Sequence, residues 1–164
     1  MTERTLSLVT PDTFREAISH HAAGVAVVTA VGPDGPVGLT VSSLSSHSVA
    51  PPTLSYGIGR SSTSLTAIRA ERRFAVHLLA ADQTDVAVRF ASRDVDRFAG
   101  TAWSWWHGLP TLHGALASFG CDLLTDVEVG NHAIVLGTVG AATVDPDRRP
   151  LIHQRRAFHG LTST

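Results

Sequence analysis

Between Gly38 and Pro52 the chain reads Gly-Leu-Thr-Val-Ser-Ser-Leu-Ser-Ser-His-Ser-Val-Ala-Pro-Pro, and this stretch constrains the fold more than any other. It starts as a strand, with Leu39 and Val41 on one face and Thr40 and Ser42 on the other. It then becomes almost continuously hydroxylated, with six Ser or Thr in the nine positions from Thr40 to Ser48. Hydroxyls are costly to bury without partners, so such a run between hydrophobic strands belongs at a surface that faces a polar ligand or water. Composition alone fits a Ser-rich loop closed by Pro51-Pro52 equally well.

The flanking sequence places the run in a hairpin-dominated chain. Thr10-Pro11 predicts a helix start, with Phe14, Ala17, Ile18 and His21 at helical spacing and Gly24 at the end. Val25 to Val31 reads as a strand, and the Gly32-Pro33-Asp34-Gly35 turn makes it the first arm of the hairpin that delivers the hydroxyls. Thr53 to Ile58 reads as the next strand. A helix to about Arg72, a strand from Phe74 to Leu79 and a helix opened by Asp82-Gln83-Thr84-Asp85 follow, the last turning Val86, Ala87, Phe90 and Ala91 inward. Trp103 to Pro110 has no clean period; its three tryptophans suit either a subunit contact or stacking on an aromatic ligand. Strands are expected at Leu116 to Leu124, Asp126 to Val129, His132 to Val139 and Leu151 to His153, with Gly130-Asn131 as a two-residue hairpin turn. The count is about seven strands and three short helices, which favours a mainly β, antiparallel, Greek-key-like small barrel with short flanking helices.

At 164 residues the chain is read as one domain over 1–164, with a core at about 14–161 and a flexible segment at 1–9. The single cysteine, Cys121, excludes an intramolecular disulfide and reads as a small core residue. Net charge is −1 and the basic residues, all arginine, are scattered, so no electrostatic footprint for nucleic acid or an anionic membrane exists. The first residues lack a basic segment followed by an apolar one, and no apolar run reaches about 18 residues; a cytoplasmic protein is expected.

Gly57-Ile58-Gly59-Arg60-Ser61-Ser62-Thr63-Ser64 leads into a helix and suits a phosphate, because first-turn N–H groups are unpaired and the helix dipole favours an anion. The order strand, Gly-x-Gly, helix, strand invites a dinucleotide-binding reading, but Ser62 occupies the third glycine position and no second βαβ unit follows. The nine histidines follow no zinc spacing, so no metal site is expected. There is no Gly-x-Ser-x-Gly elbow for a serine hydrolase. Any chemistry is therefore expected from a bound organic cofactor.

Taken together, several motifs resemble the flavin reductases that serve as small components of two-component monooxygenases. They are Gly24-Val25-x-Val27-Val28-Thr29, Gly38-x-Thr40-x-Ser42-Ser43 with Ser46-x-Ser48 and Pro51-Pro52, then Ser62 and Ser64 before a helix, and Phe74-x-Val76-x-x-Leu79. Arg89-Phe90-Ala91, Asp96-Arg97-Phe98, Gly108-x-Pro110-x-Leu112-x-Gly114, Gly130-x-His132, and Leu151 with Arg156-x-Phe158 continue the likeness from Phe14 to Leu161. The resemblance implies an FMN-binding split barrel, usually a homodimer, that uses NADH or NADPH to reduce FMN or FAD and supplies a monooxygenase partner. It implies Thr40, Ser42 and Ser43 against the isoalloxazine and ribityl chain, Ser46 and Ser48 nearby, and Ser62, Ser64 and Arg89 at the phosphate, with Phe90 also in the cofactor site. His132 is implied as the catalytic residue beside the nicotinamide; Asn131 replaces the family's usual aspartate, so weaker control of any charge on His132 is expected. His153 stands where the family often has tyrosine and is given no catalytic role. Two alternatives stay open: a flavin carrier without nicotinamide turnover, and a split-barrel relative that holds another cofactor such as haem or a deazaflavin.

Overall fold

A computed structural model describes residues 6–161, and the expected flexible segment at 1–9 lies partly outside them. Leu6 to Val9 form no regular element, and Leu6, Leu8 and Val9 are exposed. Helix α1 (Pro11–Ser19) starts as the sequence requires, with the Thr10 hydroxyl accepting the Thr13 N–H at 3.2 Å and Pro11 in the first turn. Strands β1 (Ala23–Gly24), β2 (Ala26–Gly32), β3 (Gly35–Val41), β4 (Ser45–Val49) and β5 (Pro52–Gly59) follow, then α2 (Thr63–Glu71), β6 (Arg73–Leu78) and α3 (Thr84–Ala91). Strands β7 (Trp103–Trp106), β8 (Leu109–Leu112), β9 (Ala117–Val129), β10 (His132–Val144), β11 (Leu151–Gln154) and β12 (Ala157–Gly160) complete the fold.

Seven strands form one antiparallel sheet in the order β3-β2-β6-β9-β10-β5-β4. Its inner face encloses a core of Val28, Leu54, Tyr56, Ile58, Phe74, Val76, Leu123 and Val135, closed by Leu65 and Ile68 of α2. A second cluster lies behind β2, where Val25 and Val27 meet Leu79, Ala87, Phe90, Phe98 and Leu151. That is why β2 is apolar almost without interruption: both of its faces are covered.

Several expectations change: twelve strands form where about seven were counted, and α1 ends at Ser19, ahead of Gly24. The tryptophan segment is not irregular, since β7 and β8 pair as a hairpin whose turn residues His107 and Gly108 have φ of 51° and 74°. The segments ending at Leu124 and starting at Asp126 are one strand. Leu136 pairs with Thr125 and Gly137 with Leu123, so Leu124 is the extra residue of a bulge that breaks the in–out alternation there. Ala91, expected to face inward, is exposed at the end of α3.

The bulge brings Gly137 hard against the core. A Cβ at Gly137 would lie 2.4 Å from Phe74 Cζ, and that ring is buried and fixed edge-on to Tyr56. Gly137→Ala is therefore expected to destabilise the fold by about 1–3 kcal/mol, through overpacking. Urea unfolding checks this; an unchanged midpoint contradicts it.

A buried polar chain fastens the β7–β8 hairpin to the sheet. Thr29 gives its hydroxyl proton to Pro110 O, so His77 Nε2–H donates to Thr29 Oγ1 at 3.0 Å, and Ser118 donates to Nδ1 at 2.9 Å. Burial pushes His77 down to about 4. The unfolded chain binds this proton from about pH 6.5 downward, so the stabilisation is complete above that pH and is lost as pH falls toward 4. The loss from this group amounts to about 3 kcal/mol. Denaturant titrations at several pH values should show His77→Gln with a flatter dependence below pH 6.5 than the parent; parallel curves would exclude the assignment.

Candidate active site

Strand β4 covers β5 only along Pro52 to Ser55, so from Tyr56 to Gly59 that strand is paired to β10 alone. Over this length Tyr56 and Ile58 enter the core while Gly57 and Gly59 face outward. A Cβ at Gly59 would meet nothing within 4 Å, so this part of the sheet offers bare backbone. Three of the predicted regions meet here. Ser43 Oγ accepts the Gly57 N–H at 2.8 Å, the Ser62 N–H donates to Gly59 O at 3.0 Å, and His132 is the register partner of Gly59. Gly57 and Gly59 lie about 7 Å apart along the strand, so Ser43, Ser62 and His132 fall within the reach of one ligand.

The imidazole of His132 is held from its own turn. Asn131 Oδ1 lies 2.7 Å from His132 Nδ1, and because an amide oxygen only accepts, Nδ1–H donates and Nε2 is left free. The amide thus orients the ring where the sequence suggested weaker control, while adding no negative charge. Arg60 fastens the same turn, its N–H donating to Asn131 O at 3.0 Å and its guanidinium to Gly130 O at 3.2 Å.

At the head of α2 the hydroxyls take separate duties. Ser62 is the N-cap and accepts the Ser64 N–H at 3.2 Å. Ser64 itself is buried, and among the described residues its hydroxyl has no partner, so it does not face a surface ligand as expected. Thr63, between them, lines a cavity of about 250 Å³ with Gly38, Asp96 and Arg97. Arg97 donates through Nε and Nη2 to Ser92 O at 3.0 and 2.8 Å and through Nη1 to Gly38 O at 2.5 Å. Two of its five N–H groups stay available at the mouth of that cavity.

Of the other expected cofactor residues, Phe90 is enclosed by the core and Arg89 makes one hydrogen bond within the chain. Phe90 is fully buried, edge-on to Phe98 and packed beneath Gly38, because it sits on the core side of α3. Its role is to seat α3 on β3, not to touch a ligand. Arg89 donates to Ala99 O and braces the loop after α3. The hydroxyl run is divided as well. Thr40 donates to Ala87 O at 2.7 Å, Ser42 and Ser43 line a cleft beneath α1, and Ser46 and Ser48 line an apolar groove with Leu54, Phe119 and Val139.

The sequence matches a known protein domain over most of its length. The flavin reductase like domain aligns with residues 18–162. The chain belongs to that family. It is 39% identical over 160 residues to NADH:riboflavin 5′-phosphate oxidoreductase of Streptomyces pristinaespiralis, covering 95% of this chain and 91% of that protein. Among solved structures, an NADH:FAD oxidoreductase of Streptomyces globisporus C-1027, in complex with NAD and FAD fragments, superposes with a TM-score of 0.88 at 32% identity, covering 96% of this chain and 98% of that one. The styrene monooxygenase flavin reductase of Pseudomonas putida S12 gives a TM-score of 0.85 at 31% identity, over 93% and 99% of the two chains.

The residues of this flavin reductase-like chain fit a flavin on physical grounds. Gly38 O receives Arg97, so β3 turns that backbone group to its open edge, and Gly38 to Ser42 spans about 13 Å between the head of α2 and the hydroxyl cleft. Neutral hydroxyls stand at one end of that span, and a helix N-terminus with a spare guanidinium stands at the other. Reading the sequence alone placed Thr63 in the phosphate-suited run without singling it out, and it gave Arg97 no place in the site. For Thr63 a local signal was present: residues i and i+1 of a first helical turn point apart, so two serines that cap and bury leave the intervening threonine at the surface.

Proposed function

We propose that the protein is an NADH:flavin oxidoreductase that reduces FMN or FAD and hands the reduced flavin to a monooxygenase. The observation that carries this reading is the convergence of Ser43, Ser62 and His132 on the bare Gly57–Gly59 backbone of β5 in a chain of the flavin reductase family. A bound flavin supplies the acceptor for a hydride delivered by the nicotinamide. The chain's residues bind and orient. Ser42 and Ser43 meet the ring end, Thr63 and the α2 N-terminus with Arg97 take the phosphate, and His132, oriented by Asn131, presents Nε2 toward the nicotinamide side. Ser62 contributes by capping α2, and Thr40 by fixing β3 against α3. Ser46 and Ser48 border the same region from the groove side.

Hydrogen bonds from neutral groups contribute about 0.5–1.5 kcal/mol each, which suits a flavin that leaves after reduction. NADH is the favoured donor because the similar oxidoreductases use it by name. The name of the styrene monooxygenase relative supports a monooxygenase as recipient. The reaction is assigned to the cytoplasm, where reduced nicotinamide is supplied. A homodimer is part of the reading. Val127, Val129 and Ile134 lie together on the outer face of β9 and β10 and are 52, 54 and 41% exposed, an apolar patch that a second copy would cover.

The test is NADH oxidation by purified, flavin-free protein with FMN, FAD or riboflavin added. Saturable turnover that requires added flavin is expected, and Arg97→Gln should raise the KM for FMN by about tenfold while leaving that for riboflavin, which lacks the phosphate, within about twofold. No turnover above free flavin, with tight flavin binding, would instead mean a carrier.

A further inference from the structure

The β11–β12 hairpin turns through Arg155 and Arg156, with φ of 49° and 63°. Both central positions of such a turn need positive φ, which is why Asn-Gly is the common choice and two arginines are not. The turn is also docked. Arg155 N–H donates to Ser19 O at 2.7 Å, and Gln154 Nε2 donates to His20 O at 2.9 Å, so the carbonyls of the last residue of α1 and of its C-cap are satisfied without either guanidinium. Among the described residues Arg156 has no hydrogen-bond or ion-pair partner. A backbone conformation unfavourable for arginine, held by two tertiary hydrogen bonds and presenting an unpartnered cation, is a feature that packing does not explain.

Arg156 lines a cleft of about 730 Å³ between α1 and the start of β4. Arg15, His21 and His153 line it too, together with Ser19, Ser42 and Ser43, and among the described residues no carboxylate does. Of the acids of α1, Asp12 pairs with the cleft's own Arg15 at 2.8 Å and Glu16 with His20 at 3.4 Å, which leaves Arg156 as the cation without a carboxylate partner among the described residues. The cleft is therefore cationic and hydroxylated, open to solvent, and continuous through Ser43 with the Gly57 end of the candidate active site.

We propose that this cleft binds the diphosphate bridge of the nicotinamide dinucleotide, with Arg156 as its anchoring cation and Arg15 as a second contact. The proposal rests on the reductase reading above. A flavin whose phosphate lies at Thr63 and Arg97 and whose ring lies at Ser42 and Ser43 leaves this cleft beyond the ring, on the side from which a stacked nicotinamide would trail its diphosphate. FAD also carries a diphosphate, so the two sources are separated by the probes.

ADP-ribose, which has the diphosphate without the nicotinamide, is titrated calorimetrically into the flavin-free full chain, and KM values for NADH, FMN and FAD are measured in parallel. Arg156→Asn removes the cation and tolerates positive φ, Arg155→Asn alters the same turn outside the cleft, and Arg15→Gln is a second cleft variant. The expected result is about tenfold weaker ADP-ribose binding and about tenfold higher KM for NADH in Arg156→Asn, a smaller loss in Arg15→Gln, and changes within about twofold in Arg155→Asn. KM for FMN should stay within about twofold in all three. Unchanged ADP-ribose affinity in both cleft variants overturns the proposal, as does a wild type that binds no ADP-ribose. A loss confined to FAD assigns the cleft to the flavin and overturns it too. If ADP-ribose binding responds as expected while the wild type oxidises no NADH with any flavin, the cleft stands and the reductase reading fails.

Discussion

The structure depends on a seam that backbone pairing leaves open. The sheet ends in β3 on one side and in β5 with β4 on the other, and the Ser43 hydroxyl reaches across the gap, accepting the Gly57 N–H at 2.8 Å with a longer contact to Gly57 O at 3.5 Å. One such bond contributes about 1 kcal/mol, far less than a paired strand, so this part of the sheet keeps unpaired edge backbone within reach of a ligand. Everything assigned to flavin lies along that edge or at its two ends. The rigid parts hold it in place. α3 is seated on β3 by Phe90 beneath Gly38 and by Thr40 on Ala87 O, and the β9–β10 turn is tied to the head of α2 through Arg60.

Much of this was legible in the sequence because it is written in local chemistry. Thr10-Pro11, Gly32 to Gly35 and Gly130-Asn131 each specify a cap or turn by themselves, and all three hold. What escaped was set by non-local packing. The bulge at Leu124 interrupts alternation and so divides one long strand into two when only periodicity is read. The tryptophan hairpin has four-residue arms, one containing Pro110, and it is held by a buried link from Thr29 that no pattern in its own sequence announces.

The same distinction runs through the site. The residue types were legible, since hydroxyls and arginines ahead of a helix are suited to an anion wherever they are placed. Their individual duties were not. Ser62 and Ser64 cap and bury, leaving Thr63 exposed, while Arg89 braces a loop and Arg97, eight positions later, opens onto the cavity. Which arginine reaches a ligand depends on where the loop after α3 returns to β3, a contact between Arg97 and Gly38 that lie 59 residues apart.

Amide hydrogen exchange on the flavin-free protein, with and without saturating FMN, tests the account of an open seam most directly. An open seam gives fast exchange at the free edge of β3 and at the head of α2 without ligand, and FMN-dependent protection concentrated at Gly38 to Ser43, Gly57 to Gly59 and Ser62 to Ser64. Protection confined to other strands, or a seam already fully protected in the flavin-free protein, would contradict it.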